Sequence, residues 1–230
     1  MTKALVIVAH PDDETIWCGG TIMMHPEWDW AILSLCRRDD ADRAPKFAKV
    51  CEKLGARCAM SDLEDEHPEQ QLASLEEVKL RVRAMMKQLL LGGEFEFLFT
   101  HGENGEYGHN RHKETHSAVR EMMEGGELSA EKVFFFCYKR SRSGAYCVAN
   151  VRDAHARVRL SAQIARAKHL LITSAYQFSK GSFEARSARA IESFKVNEHA
   201  INGTVSVPSG VGRHKHSGRN ALSRTALEQA

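Results

Sequence analysis

Residues 4–14 read Ala-Leu-Val-Ile-Val-Ala-His-Pro-Asp-Asp-Glu, an apolar run that ends abruptly in a polar cluster. The run is short and contains β-branched residues, which is typical of a strand buried on both faces of a parallel sheet. Open α/β sheets bind their ligands at the carboxyl ends of the strands. The polar cluster that begins at His10 is therefore predicted to lie at a functional edge of the sheet.

The rest of the chain alternates predicted strands with predicted helices, which favours a mostly parallel sheet joined by crossover helices. We predict further strands over residues 30–36, 56–60, 95–99 and 133–137, and an antiparallel edge strand over 146–151. Apolar spacing predicts helices over residues 15–25, 47–54, 75–89, 110–123, 161–173 and 185–199. Ser74 and Glu77 form a capping box at the start of the third helix.

Length and composition limit the class of protein. The chain has 230 residues, 43% hydrophobic and 27% charged, as expected for one soluble α/β domain. A net charge of +2 gives no reason to expect nucleic acid or a membrane surface as a partner. No apolar run reaches the roughly 18 residues of a membrane span, and we predict no signal peptide. The six cysteines form no Cys-x-x-Cys pair, so we expect reduced cysteines and a cytoplasmic protein.

Composition changes near the C-terminus. We predict a single domain over residues 1–200 and a basic, Gly/Ser-rich tail over residues 201–230. Such a composition favours disorder. The alternative, a tail that folds over the mouth of a site or docks on an acidic partner, stays open at this point, as does a homo-oligomer.

A second polar cluster follows the predicted strand 95–99. Residues 105–116 read Gly-Glu-Tyr-Gly-His-Asn-Arg-His-Lys-Glu-Thr-His. If a helix starts near Asn110, His112 and His116 lie on one face, four residues apart. The carboxyl ends of the first and fourth strands meet at the switch point of such a sheet, which would bring the two clusters together.

The two clusters contain the groups that a hydrolytic zinc site needs. Catalytic zinc takes three protein ligands and keeps one position open for water, and His10, Asp13 and one of the later histidines satisfy that count. The ion lowers the pKa of its water to about 7, a nearby carboxylate takes the proton, and a histidine or tyrosine stabilises the oxyanion. Asp12, His109 and Tyr107 supply those additional groups.

Each group also has a purely structural interpretation. His10 alone would be a capping or loop residue, and the acidic run 12–14 would suit a helix N-terminus through its dipole. The helical histidines would form a solvated face, and Tyr107 would pack on the sheet. Because all of these residues fall at two strand ends predicted to be neighbours, we favour the metal interpretation.

The two clusters, in the order in which they occur along the chain, resemble the motifs of the PIG-L or LmbE-like zinc-dependent N-deacetylases. The first motif is Ala-His-Pro-Asp-Asp-Glu at residues 9–14, and residues 108–112 are similar to the family's Gly-His-x-x-His segment. Arg43, ahead of Leu54-Gly55, resembles the family's substrate-holding arginine. The resemblance covers about residues 3–195. It implies an LmbE-like, Rossmann-like three-layer α/β fold with a mostly parallel sheet and helices on both faces.

The resemblance also implies roles for individual residues. The zinc ligands would be His10, Asp13 and His112. Asp12 would be the general base, His109 would stabilise the oxyanion and act as an acid, and Tyr107 would polarise the carbonyl or close over it. Arg43 would hold a sugar hydroxyl, carboxylate or phosphate. The family's substrate-contacting aspartate corresponds to either Asp62 or Asp65.

The implied reaction is removal of an N-acetyl group from an N-acetylglucosamine-type conjugate by attack of a zinc-bound water. Iron or another divalent ion suits such ligands too. Residues 37–40, Arg-Arg-Asp-Asp, replace the family's Gly-Glu-x-Gly loop, which leaves the substrate open. One alternative is hydrolysis of another small amide or ester with an anionic group. A second is a non-catalytic sugar-binding domain whose structural metal has a fourth protein ligand, either Glu106 or His116.

Overall fold

A twisted central sheet organises the protein, which we describe from a computed structural model over residues 1–69 and 72–198. In these ranges the strands are β1 (Lys3–Val8), β2 (Asp29–Cys36), β3 (Arg57–Leu63), β4 (Glu94–Thr100), β5 (Ser129–Phe136), β6 (Tyr138–Arg140), β7 (Cys147–Ala149), β8 (Ala156–Arg159) and β9 (Ile191–Glu198). The helices are α1 (Asp13–Met24), α2 (Arg43–Leu54), α3 (Leu75–Gln88), α4 (Gly105–Gly108), α5 (Asn110–Glu124), α6 (Ala162–Leu170) and α7 (Phe183–Ser187). A π-helical turn, Leu171–Ala175, extends α6.

The sheet order in the described residues is β3-β2-β1-β4-β5-β9-β8. The first five strands are parallel, and β9 runs antiparallel to both of its neighbours. The strand order reverses between β1 and β4, so their carboxyl ends lie side by side at the switch point. The prediction that the two polar clusters meet there is confirmed.

Two apolar cores, one on each face of the sheet, explain the unbroken hydrophobic run of β1. Val6 and Val8 pack toward α1 and α2, whereas Leu5 and Ile7 pack toward α3 and α5. Residues 4–9 are all fully buried. The protein is thus a three-layer, Rossmann-like α/β fold with helices on both faces, as predicted.

One sequence prediction near the C-terminus is wrong, and a second is correct except for its place in the fold. The range predicted as a helix over residues 185–199 contains only the end of the short α7 and then the strand β9. Pairing of β9 between β5 and β8 overrides the helical spacing. The strand predicted over 146–151 is β7, which pairs with β6 in a separate hairpin instead of at the sheet edge. The predicted tail, residues 201–230, lies outside the described residues.

Helix α1, which carries the first motif, is joined to the C-terminal half by the buried carboxylate of Glu192, which also forms an ion pair. Lys168 Nζ lies 2.6 Å from Glu192 Oε1, and both side chains are fully buried. Glu192 also accepts hydrogen bonds from the amides of Gly20 and Thr21, at 2.7 and 2.8 Å. A charged pair this deep is stable only when its remaining polar atoms are satisfied, as they are here.

The neighbouring glycines of α1 predict opposite stability effects. A Cβ on Gly20 would lie 2.3 Å from Leu160 Cδ1 and 2.9 Å from Glu192 Oε1, whereas the nearest contact of a Cβ on Gly19 is 3.4 Å. We expect Gly20→Ala to lower the free energy of unfolding by about 1–3 kcal/mol through overpacking. Gly19→Ala should not lower it, because alanine is the better helix former by about 1 kcal/mol. Urea unfolding of both variants tests this, and equal effects would contradict it.

No helix within the described ranges is both long enough and apolar enough to cross a bilayer.

Candidate metal centre

Three side chains from the two polar clusters converge where β1 and β4 end. His10 follows β1, Asp13 is the first residue of α1, and His112 lies in the first turn of α5. His10 Nδ1 lies 3.2 Å from Asp13 Oδ2 and 3.1 Å from His112 Nε2. His112 Nε2 lies 3.3 Å from Asp13 Oδ2, which closes a nearly equilateral triangle of donor atoms.

This triangle fits a tetrahedrally coordinated divalent ion. Zinc bonds of about 2.0–2.1 Å in tetrahedral geometry place the ligand atoms roughly 3.3–3.4 Å apart. The donor set, two imidazole nitrogens and one carboxylate oxygen, is one that zinc accepts and that iron accepts as well. Two imidazole nitrogens this close would otherwise need a shared proton. The residues present therefore fit the metal that the sequence motifs imply.

Each donor is oriented by a hydrogen bond on its far side. His10 Nε2 lies 3.0 Å from Asp65 Oδ1, and His112 Nδ1 lies 2.6 Å from Glu106 Oε2. The second oxygen of Asp13 accepts a 2.8 Å hydrogen bond from the Trp17 indole. Carboxylates in this position fix the tautomer and the ring orientation of a metal-binding histidine.

His101 is a neighbouring imidazole that points at the same aspartate. Its Nε2 lies 3.5 Å from Asp13 Oδ2 and accepts a 2.9 Å hydrogen bond from the amide of Ala9, while Nδ1 lies 2.8 Å from Glu106 Oε2. The Ala9 amide can only donate, so this hydrogen bond requires an unprotonated Nε2. Because both ring nitrogens of His101 form hydrogen bonds, we assign this residue a supporting role next to the triangle.

Asp12 lies beside the triangle in a strained conformation. Its φ of 119° is in the left-handed region, and the side chain is buried. The Asp12 amide donates to Glu14 Oε2 at 3.0 Å, and Arg43 Nη1 donates to Asp12 Oδ2 at the same distance. Burial and the charge of Asp13 raise the pKa of Asp12 well above its usual range, although Arg43 opposes them.

His109 and Tyr107 lie close to the imidazoles of the triangle. The His109 ring is 4.7 Å from that of His10, and its Nδ1 accepts a hydrogen bond from the amide of Arg111 at 3.2 Å. The proton of the neutral ring is therefore on Nε2. Burial, and then the imidazoles of His10 and His112, lower the pKa of His109 to about 3. Burial also raises the pKa of Tyr107, so both side chains are neutral hydrogen-bond donors.

These residues surround a cavity of about 190 Å³. Its polar lining is formed by His10, Asp12, Asp13, Arg37, Arg43, Asp65, Tyr107, His109 and Glu184, and Trp17 and Phe183 add apolar surface. The volume is below the roughly 300–1,000 Å³ of drug-sized sites, so the cavity suits one small unit of a ligand.

Position distinguishes Asp62 from Asp65 and locates His116, three residues whose roles the sequence left open. Asp65 reaches the site, where His10 and Arg37 lower its pKa to about 2 against the effect of burial. Asp62 pairs with Arg38 and Arg81 outside the triangle. His116 Nδ1 lies 2.9 Å from the carbonyl oxygen of His101.

The arginines near the cavity are engaged by carboxylates of the protein itself. Arg37 donates to Asp65 at 2.7 and 3.0 Å, and Arg38 lies 2.5 Å from Asp62. Arg43, the predicted substrate-binding arginine, pairs with Asp12 and lies over the Phe178 ring at 4.4 Å. An anionic substrate would therefore have to compete with carboxylates already in place.

Sequence reasoning missed the residues that support the triangle. Trp17 follows Asp13 by four residues on α1, a spacing that places both on one helix face. His101 follows β4 as His10 follows β1, and this symmetry was a usable signal. The sequence offers no such signal for Glu106, because its reach depends on an unusual backbone turn.

Comparison with known proteins agrees with this architecture. The family model "PIG-L: GlcNAc-PI de-N-acetylase" matches residues 5–123, more than half of the chain. The chain belongs to the PIG-L family. No curated protein matches it significantly.

Several solved structures share the fold of this PIG-L protein. N,N'-diacetylchitobiose deacetylase from Pyrococcus horikoshii is 16% identical with a TM-score of 0.59, over 86% of this chain and 84% of that chain. The zinc-inhibited form of teicoplanin deacetylase Orf2 is 11% identical with a TM-score of 0.59, over 87% and 100%. GalB, the 4-carboxy-2-hydroxymuconate hydratase from Pseudomonas putida KT2440, is 15% identical with a TM-score of 0.60, over 90% and 100%. Because the proteins that share this fold include a hydratase as well as deacetylases, the fold alone does not determine the reaction.

Proposed function

We propose that this protein is a metal-dependent hydrolase that removes the acetyl group from the nitrogen of an N-acetylglucosamine-type sugar conjugate. His10, Asp13 and His112 would hold zinc or another divalent cation. One observation carries the proposal: three donor atoms lie 3.1–3.3 Å apart, and two of the residues that supply them, His10 and Asp13, line a small cavity together with the buried carboxylate of Asp12. Membership of a family named for a de-N-acetylase supports an acetylated amine as the group attacked.

A bound divalent ion polarises a carbonyl and lowers the pKa of a water molecule. Asp12 would act as the base that takes a proton from the attacking water, for which a raised pKa is suitable. The same carboxyl group would then return the proton to the amine nitrogen as the carbon–nitrogen bond breaks. The products are acetate and an amine that takes up the second proton of the water as an ammonium group, and Asp12 ends as it began.

His109 would donate a hydrogen bond from Nε2 to the carbonyl oxygen as that atom gains negative charge. Because a pKa of about 3 keeps the ring neutral, we assign delivery of the proton to Asp12. The acid role that the resemblance implies for His109 stays a prediction. Tyr107, whose ring lies 5.7 Å from that of His109, would close the cavity over the acetyl group.

The geometry supports this function over the two alternatives. A structural metal needs four protein ligands, but the two fourth-ligand candidates from the sequence form other hydrogen bonds: Glu106 with the far nitrogen of His112, and His116 with the backbone of His101. An anionic amide or ester needs available cations, whereas Arg37 and Arg43 are paired with carboxylates. A substrate that presents a neutral sugar hydroxyl or an acetamide group requires neither a fourth protein ligand on the metal nor an arginine without a carboxylate partner.

Metal removal combined with a substrate panel tests the proposal. We expect purified protein to contain about one divalent ion per chain, in line with a single catalytic site with three protein ligands. Acetate should be released from at least one N-acetylglucosaminide, chelation should abolish the release, and zinc or iron should restore it. If the metal-loaded protein hydrolyses no acetylated amino sugar but cleaves other small amides or esters, the result would favour the alternative hydrolase of small amides or esters.

A further inference from the structure

A single buried carboxylate joins two imidazoles behind the donor triangle. Glu106 Oε2 lies 2.6 Å from His112 Nδ1 and 2.8 Å from His101 Nδ1, and Oε1 accepts a hydrogen bond from the amide of Gly102 at 2.8 Å. The three side chains are at most 1% exposed. The two rings stack with centroids 3.9 Å apart, so they share one orientation.

The hydrogen bonds of this group determine where its protons lie. The amide of Ala9 donates to His101 Nε2 at 2.9 Å, and an amide nitrogen cannot accept in return. His101 therefore carries its proton on Nδ1 and donates it to Glu106. An ionised carboxylate only accepts, so His112 must also donate from Nδ1. The lone pair of His112 is left on Nε2, the atom that faces His10 and Asp13.

The backbone at Glu106 is strained. Its φ of 56° lies in the left-handed region, which a residue with a side chain rarely adopts. A glycine would adopt this turn without strain, but it would leave two buried imidazoles without an acceptor. Strain kept at a buried position beside a candidate site indicates a function for the side chain.

We propose that Glu106 is a positioning residue that fixes the tautomer and orientation of His112 before an ion binds, and that joins the end of β4 to the end of β1 through His101 and Ala9. This inference rests on the proposed metal site and extends it. The protein would present a preformed lone pair to the ion, with no tautomer change required on binding.

Nitrogen NMR of the metal-free protein at mildly alkaline pH tests this directly. We expect His112 to carry a proton on Nδ1 and none on Nε2, with its signals identified by their loss in His112→Gln. A proton on Nε2, or on both nitrogens, would overturn the proposal. This measurement needs neither metal nor turnover, so it separates failure of this inference from failure of the proposed function.

Glu106→Gln provides the second arm of the test. If the glutamine oxygen faces the imidazoles, its NH₂ group opposes the amide of Gly102; if the side chain is reversed, the NH₂ group opposes both Nδ1 atoms. We expect zinc affinity, measured by competition with a chromophoric chelator, to fall by about 10–100-fold. Glu103→Gln, an exposed glutamate in the same loop, is the matched control and should keep full affinity. Equal affinities of the two variants would refute the proposal.

Discussion

Asp12→Asn is expected to lower the rate of acetate release by at least about 100-fold, the range typical for loss of a general base. Asparagine keeps the size of the side chain and tolerates the left-handed backbone at this position, so the variant removes charge without adding strain. Because the pKa of Asp12 is raised, we also expect the wild-type rate to fall as the pH drops through that value and the base becomes protonated. Steady-state measurement of acetate release against pH tests both points.

The matched control for this variant is Asp42→Asn, a nearby aspartate that is largely exposed and paired with Lys46. It should keep the wild-type rate. Asp12→Asn should bind as much metal as the wild type, because Asp12 contributes no atom to the donor triangle. A near-normal rate in metal-loaded Asp12→Asn would exclude Asp12 as the base.

The fold and the meeting of the two motifs could be predicted because local sequence determines them. An apolar run that ends in a polar cluster gives both the buried strand and its functional end, as β1 and His10 show. The spacing of His109 and His112 around a helix start likewise fixes their relative positions on α5.

The supporting roles of Asp65 and Glu106, which the sequence offered only as candidates for other roles, could not be predicted because they depend on three-dimensional contacts. Asp65 reaches His10 from the loop after β3, 55 residues away in sequence. The side chain of Glu106 reaches both imidazoles only because the backbone at this residue adopts a positive φ. The strand β9 was predicted as a helix because the spacing of apolar residues within a segment does not report pairing with distant strands such as β5 and β8. Its Glu192 then fixes α1, on which Asp13 lies.

Asp13→Asn is expected to abolish both metal binding and hydrolysis. In the structure Oδ1 accepts from the Trp17 indole, and Oδ2 accepts from the amide of His10 at 2.9 Å. The asparagine carbonyl can replace only one of these oxygens. If it keeps the hydrogen bond to Trp17, an uncharged NH₂ group faces the ion, and an amide nitrogen of this kind is not a ligand. We expect zinc affinity to fall by more than the roughly 100-fold seen when an outer-shell partner is lost.

The two aspartate variants together separate the base from the ligand. Asp12→Asn should give metal-loaded protein that is inactive, and Asp13→Asn should give protein that is inactive and free of metal at the same zinc concentration. Metal content by atomic emission and acetate release, measured on the same samples, distinguish these results. If Asp13→Asn retained stoichiometric zinc, the ion would have to be held by a different set, such as His10, His109 and His112, whose donor atoms lie within 4.8 Å of one another. The open coordination position would then face another side of the cavity, and Asp12 could no longer be assigned as the base from its place beside Asp13.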